Sequence, residues 1–135
     1  MNKSISGFDK WGLEGFILDA LIERGWNEPT EIQIESIPHA RKGRDIVGQA
    51  RTGSGKTAAF GIPILEKCAP KGSIQGIVLC PTRELAVQVS DELSILQGKK
   101  GLIIQTVYGG TDIEKQAKNL RKGTDIVVGL SLIHI

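Results

Sequence analysis

The sequence predicts an α/β domain with a parallel sheet covered by helices. Three observations carry that prediction. Short apolar, β-branched runs alternate with longer helix-forming ones: Asp45–Gln49, Ile74–Cys80, Leu102–Tyr108 and Asp125–Val128 read as strands, with helices over about 56–67, 83–97 and 113–122. The strand candidates lack clean polar alternation, which fits a sheet buried on both faces. A glycine-rich loop, Ala50-Arg51-Thr52-Gly53-Ser54-Gly55-Lys56-Thr57, connects the first strand candidate to the first of these helices.

The forty residues before this alternation read as helical. Leu13, Phe16, Ile17, Ala20 and Leu21 recur at the spacing of one helix face, and Gly25 suits the left-handed residue that ends such a helix. Thr30 opens a second helix that runs to about Lys42, with Ile32, Ile34 and Ile37 as its apolar positions. Pro38 inside it implies a kink or an early end.

Composition excludes several classes. The 135 residues suffice for one domain, with 40% hydrophobic and 24% charged content, ordinary values for a globular chain. Aromatic residues make up 4%, so aliphatic side chains carry the core. A net charge of +2 does not by itself argue for nucleic acid, and the clusters Arg41-Lys42-Gly43-Arg44, Lys99-Lys100 and Arg121-Lys122 read singly as solvated helix ends and loops. Cys68 and Cys80 lie twelve positions apart with no metal-ligand spacing and no disulfide framework, and Cys80 reads as a small buried residue. No apolar stretch reaches the roughly 18 residues needed to span a bilayer. The first residues lack a signal-peptide core, so a reduced cytoplasmic setting is expected.

The glycine-rich loop carries the chemistry. Glycines admit positive φ and let backbone N–H groups close on an anion, and the helix that follows points its positive end at the same place. Lys56 supplies a full charge for β/γ-phosphates, and the Thr57 hydroxyl suits a Mg²⁺ ligand. The plain alternative is a Gly/Ser-rich surface turn, against which stands the order of strand, loop, Lys-Thr and helix. Ala50 replaces the glycine usual at the first position of this pattern.

The residues around the loop extend the reading. Gly25-Trp26-Asn27-Glu28-Pro29-Thr30-Glu31-Ile32-Gln33, with Phe8 seventeen residues before Gly25, resembles the Q motif of DEAD-box RNA helicases. Residues Ala50 to Thr57 resemble that family's motif I, Pro81-Thr82-Arg83-Glu84-Leu85-Ala86 its motif Ia, and Gly109-Gly110 its GG motif. These motifs stand in the family's order and cover nearly all of the chain.

The resemblance implies an incomplete RecA-like P-loop NTPase domain: a Q-motif region over 6–34, a partial ATP-binding domain over 37–129, and a tail over 130–135 that does not match. It implies ATP and Mg²⁺ as cofactors, with Gln33 reading adenine and Phe8 and Trp26 beside the base. Gln33 also fits a capping box with Thr30, and Trp26 fits a core position equally well. RNA is the implied partner, through Pro81, Thr82, Arg83, Gly109 and Gly110. These contacts would go to sugar and phosphate and carry little sequence specificity. No protein partner is identified. The family's Asp-Glu-Ala-Asp segment is absent, so no catalytic residue is assigned. The resemblance stops at Gly129; Leu130 to Ile135 read as a frameshift, a wrong junction or an incomplete gene, a natural apolar strand being the alternative.

The expected function is therefore an ATP-dependent RNA helicase in the complete protein. The chain alone is expected to lack turnover and to be marginally stable and prone to aggregate. A non-catalytic nucleotide- or RNA-binding module is the main alternative, and another P-loop NTPase a remoter one.

Overall fold

The structure is a computed structural model that describes Phe8 and residues 10–50, 55–107 and 113–130. In chain order its elements are α1 (Gly15–Glu23), α2 (Glu31–Arg41), α3 (Lys56–Lys67), β1 (Gly76–Cys80), α4 (Arg83–Leu96), β2 (Ile104–Val107), α5 (Ile113–Arg121) and β3 (Ile126–Leu130). The strands form one parallel sheet in the order β1-β3-β2. Val78 pairs with Val128, and Thr106 pairs with the same residue from the other side.

One face of this sheet is covered. Val78, Cys80, Ile126 and Val128 alternate onto it and are buried. Helix α4 packs across all three strands, α3 packs on α4, and α2 packs on α3. The core joins these layers to Ile17 and Leu21 of α1 and is mostly aliphatic, as the composition requires.

The helices follow local signals closely. Thr30 and Gln33 form a reciprocal capping box at the start of α2. Thr82 caps α4 by accepting the Leu85 N–H at 3.2 Å. Gly25, at φ +77°, follows the last residues of α1 in the left-handed conformation expected of it.

Four expectations need correction. Asp45–Gln49 forms no strand: Val47 is fully exposed and Ile46 partly so, and no described strand lies alongside to complete a ladder. β-Branched composition favours a strand only where a partner supplies hydrogen bonds and packing. Pro38 does not end α2 early: the helix continues to Arg41. Ile34 is exposed, because the inward stripe of α2 is Gln33, Ser36 and Ile37. Two of those residues are polar, so hydrophobicity alone misjudges the helix's phase. Phe16 likewise faces outward, while Ile17, Ala20 and Leu21 of α1 are buried.

Candidate functional site

Gly55 stands immediately before α3 with φ +87° and ψ +23°. This left-handed conformation costs a residue with a Cβ about 1–2 kcal/mol and costs glycine almost nothing. It turns the chain so that the first N–H groups of α3, which have no partner inside the helix, open toward the preceding loop. The Lys56 side chain is exposed and Thr57 half-buried. Both line a groove of about 790 Å³ together with Arg44, Gly48 and Pro81. The end of the phosphate-loop motif and the start of the motif at Pro81 thus meet in one groove. Ala50 is half-buried and is not among the residues that line the groove. Arg51, Thr52, Gly53 and Ser54 lie outside the described residues.

Much of the groove's lining is apolar, with Ile46, Phe60, Ile77 and Leu79 among the residues. Its cationic groups are Lys56 at the start of α3, Lys67 at the end of that helix, and Arg44. Positive charge beside apolar walls suits a ligand that is anionic in part. The one Mg²⁺ ligand that the sequence suggests is the Thr57 hydroxyl. That fits an ion held mainly by phosphate oxygens, since Mg²⁺ normally takes few protein ligands. Among the described residues no group of three His, Cys, Asp or Glu is placed to hold a metal by itself.

Gln33 is completely buried. Its Oε1 accepts the Thr30 N–H at 3.0 Å, and its Nε2 donates to the Gly55 carbonyl at 3.1 Å. The capping role is therefore present, and the same amide reaches the phosphate loop. These bonds use one of its two N–H groups and one of two carbonyl lone pairs. Trp26 is half-buried against the core, and the Arg24 guanidinium stacks 4.5 Å from its ring centre. Phe8 is buried edge-on to Trp11, with ring centres 5.8 Å apart. Neither Trp26 nor Phe8 lines the groove with Lys56 and Thr57.

Pro81, Thr82 and Arg83 are all exposed where β1 passes into α4. Because Thr82 caps that helix, the positive end of its dipole stands beside Pro81. Tyr108, Gly109 and Gly110 lie outside the described residues, as does the tail from Ser131.

Two structural residues escaped the sequence reading. Lys100, taken as part of a solvated basic cluster, is largely buried: it pairs with Glu14 at 2.6 Å and donates to the Leu65 carbonyl at 2.6 Å, at the end of α3. Asp125 is 1% exposed and accepts N–H groups from Lys71, Gly72 and Ile103 and the Gln75 side-chain amide, all within 3.2 Å. Their partners lie far away in sequence, so no local pattern announces them. Cys80 is buried, as its place at the end of an apolar strand suggested. Both cysteines are buried and free, and burial pushes each thiol up, with Lys100 opposing the shift at Cys68.

A parallel sheet, a left-handed glycine at a helix start and Lys-Thr lining a groove beside β1 define an α/β domain of the RecA-like class. The chain belongs to the DEAD/DEAH box helicase family, whose model matches residues 30–132. It is 50% identical over 123 residues to the DEAD-box ATP-dependent RNA helicase CshA of Bacillus cereus, covering 90% of this chain and 23% of that protein. The CshA of Bacillus anthracis matches equally well. The fold superposes on the crystal structure of a DEAD box protein from the hyperthermophile Methanococcus jannaschii with a TM-score of 0.87 and 46% identity, covering 92% of this chain and 34% of that one. The chain thus spans about a quarter of the length of the curated relatives it matches. Among the described residues no helix is long and apolar enough to cross a membrane.

Proposed function

We propose that this chain is the part of an ATP-dependent RNA helicase that grips nucleotide phosphates and one stretch of RNA backbone. The observation that carries the reading is the shared groove: Lys56 and Thr57 at the start of α3 and Pro81 at the end of β1 line one space. Lys56 and the N–H groups of the helix start hold β/γ-phosphates, and the Thr57 hydroxyl takes a place on Mg²⁺. When bound, the ion neutralises phosphate charge. Arg51 to Ser54 complete the loop. The remaining amide hydrogen and lone pair of Gln33 suit the adenine N6 and N7 edge, and Trp26 and Phe8 are the aromatic residues that the family resemblance assigns beside the base.

RNA lies across Pro81, Thr82 and Arg83 and the Gly109-Gly110 pair. There a helix start, a guanidinium and bare backbone suit phosphate and sugar rather than base edges. In the complete protein, binding of both ligands leads to RNA-stimulated hydrolysis and local unwinding in the cytoplasm. Phosphoryl transfer depends on placed charges, and the 135 residues hold no Asp-Glu-Ala-Asp segment, so the chain alone binds without turnover.

Isothermal titration with Mg²⁺·ATP, with and without single-stranded RNA, tests this. Binding of both ligands, loss of ATP binding in Lys56→Ala, and phosphate release no faster than in buffer are the expected results. RNA-stimulated hydrolysis by the purified chain would overturn the binding-only reading, and failure to bind ATP would overturn the phosphate site.

A further inference from the structure

Helix α5 turns one face outward: Glu114, Lys115, Lys118, Arg121 and Lys122 are exposed, at the spacing of a single helix surface. Its other face, with Gln116, Ala117, Asn119 and Leu120, is half-buried, and the Gln105 side chain of β2 donates to the Asn119 carbonyl at 3.3 Å. Beyond Glu114 the outer face is wholly basic and carries no apolar side chain. A further cation joins it from elsewhere in the chain. The Lys71-Gly72 turn lies against the Lys122-Gly123 turn, with the Gly72 Cα 3.4 Å from the place a Cβ on Gly123 would take. Within 67–75 and 115–125 the only acid is Asp125, and it is buried, accepting the Lys71 and Gly72 N–H groups from inside. Lys71, Lys118, Arg121 and Lys122 form no ion pair among the described residues. The helix dipole favours cations in the last turn of α5, but Lys71 belongs to no helix.

The sheet sets the direction of this face. β1 and β2 both run parallel to β3, so Cys80 and Val107 end on one edge, and α5 leads from that edge back to the opposite one, where β3 begins. Its nine residues cover about 13 Å. We propose that the outer face of α5 and the Lys71 turn hold a second stretch of RNA backbone, continuing away from Pro81, Thr82, Arg83 and the Gly109-Gly110 pair. The inference rests on the RNA reading above and adds a site to it. A surface of cations without apolar anchors suits phosphates, whereas a protein partner would need buried apolar contacts as well. The contacts carry no sequence preference.

Fluorescence anisotropy with oligouridines of about six and about 20 nucleotides tests this on the full 135-residue chain, the shorter one spanning only the first site. The triple variant Lys118→Gln, Arg121→Gln and Lys122→Gln should weaken the longer RNA roughly tenfold or more and make its logarithmic salt dependence shallower by about 2, the share of three phosphate contacts on a single strand. The shorter RNA should bind as before. Lys118→Arg with Lys122→Arg, which keeps the charge, should bind both RNAs normally. Unchanged binding of the longer RNA by the triple variant, or an equal loss for both lengths, overturns the site. Polyglutamate bound as tightly as the longer RNA overturns RNA as its occupant.

A second measurement needs no substitution. In NMR spectra of the unsubstituted chain the backbone N–H resonances of 118–122 should shift with the longer RNA and stay in place with the shorter one. Unmoved resonances in a chain that binds the longer RNA overturn this site alone. If the chain binds neither RNA, the RNA reading above fails together with it.

Discussion

Asp125 joins three stretches of chain through one carboxylate: the Lys71-Gly72 turn, Gln75 before β1, and Ile103 before β2. Burial pushes its carboxyl up. The N–H groups of Ile103, Gly72 and Lys71 and the Gln75 amide outweigh that and hold it below the ordinary 3.8. A carboxyl lowered on folding contributes stability that is complete above its unfolded value and is lost as pH falls through the folded one. The chain should therefore lose stability progressively below about pH 4. Asp125→Ala removes the acceptor from three backbone N–H groups. It should cost about 3 kcal/mol at pH 7 in urea unfolding, and the loss below pH 4 should become shallower, because hydrogen bonds to charged groups are worth about 1.5–3 kcal/mol. An unchanged midpoint at pH 7 would refute the assignment. In the sequence Asp125 was only the first residue of a strand candidate, since its partners at 71 and 72 and at 103 are brought beside it by the sheet. Gln33 was more legible: its spacing from Thr30 announced the capping box, though not the reach to Gly55.

Among the elements, α3 and α4 show how closely the helices must approach to seat the phosphate loop on the sheet. Gly61 of α3 lies where a Cβ would come within 2.7 Å of Leu93 Cδ2, with Leu96 Cδ1 at 3.8 Å. Leu93 and Leu96 are fully buried, so they have little room to yield. Valine at 61 would gain a few tenths of a kcal/mol of helix propensity over glycine. It would also force two further methyl groups into this contact, at a cost of typically 1–3 kcal/mol. Gly61→Val should therefore destabilise the domain by about 2 kcal/mol, seen as a lower thermal midpoint; a rise would show that the contact is slack. The start of α3 at Lys56, the start of α4 at Arg83 and the presence of β1, β2 and β3 were legible, because caps and β-branched runs are local. Asp45–Gln49 was misread for a complementary reason. Its composition is that of a strand, but a strand also needs a neighbour, and the neighbour is not written within the segment.

At the scale of the whole molecule, the sheet has α4 across one face, while Ile77 and Leu79 on the other are 65% and 63% exposed. β1 pairs only with β3 among the described residues, so one edge of β1 presents unpaired N–H and C=O groups. Its sequence, Gly76-Ile77-Val78-Leu79-Cys80, carries no charge and no proline, the usual guards of a free edge. The exposed Ile46 and Val47 add to the apolar surface nearby, and Ile46 lines the same groove as Ile77 and Leu79. Two copies could pair β1 against β1 in antiparallel fashion about Val78, placing Ile77 opposite Leu79 in both directions, the self-complementary arrangement of a two-fold contact. The purified 135-residue chain should therefore associate at micromolar concentration. The double substitution Ile77→Lys with Leu79→Lys should return it to a monomer in size-exclusion chromatography with light scattering. Because both side chains are exposed, the far-ultraviolet circular dichroism should not change. A monomeric unsubstituted chain, or a double variant that still associates, would place the cohesive surface somewhere other than the edge of β1.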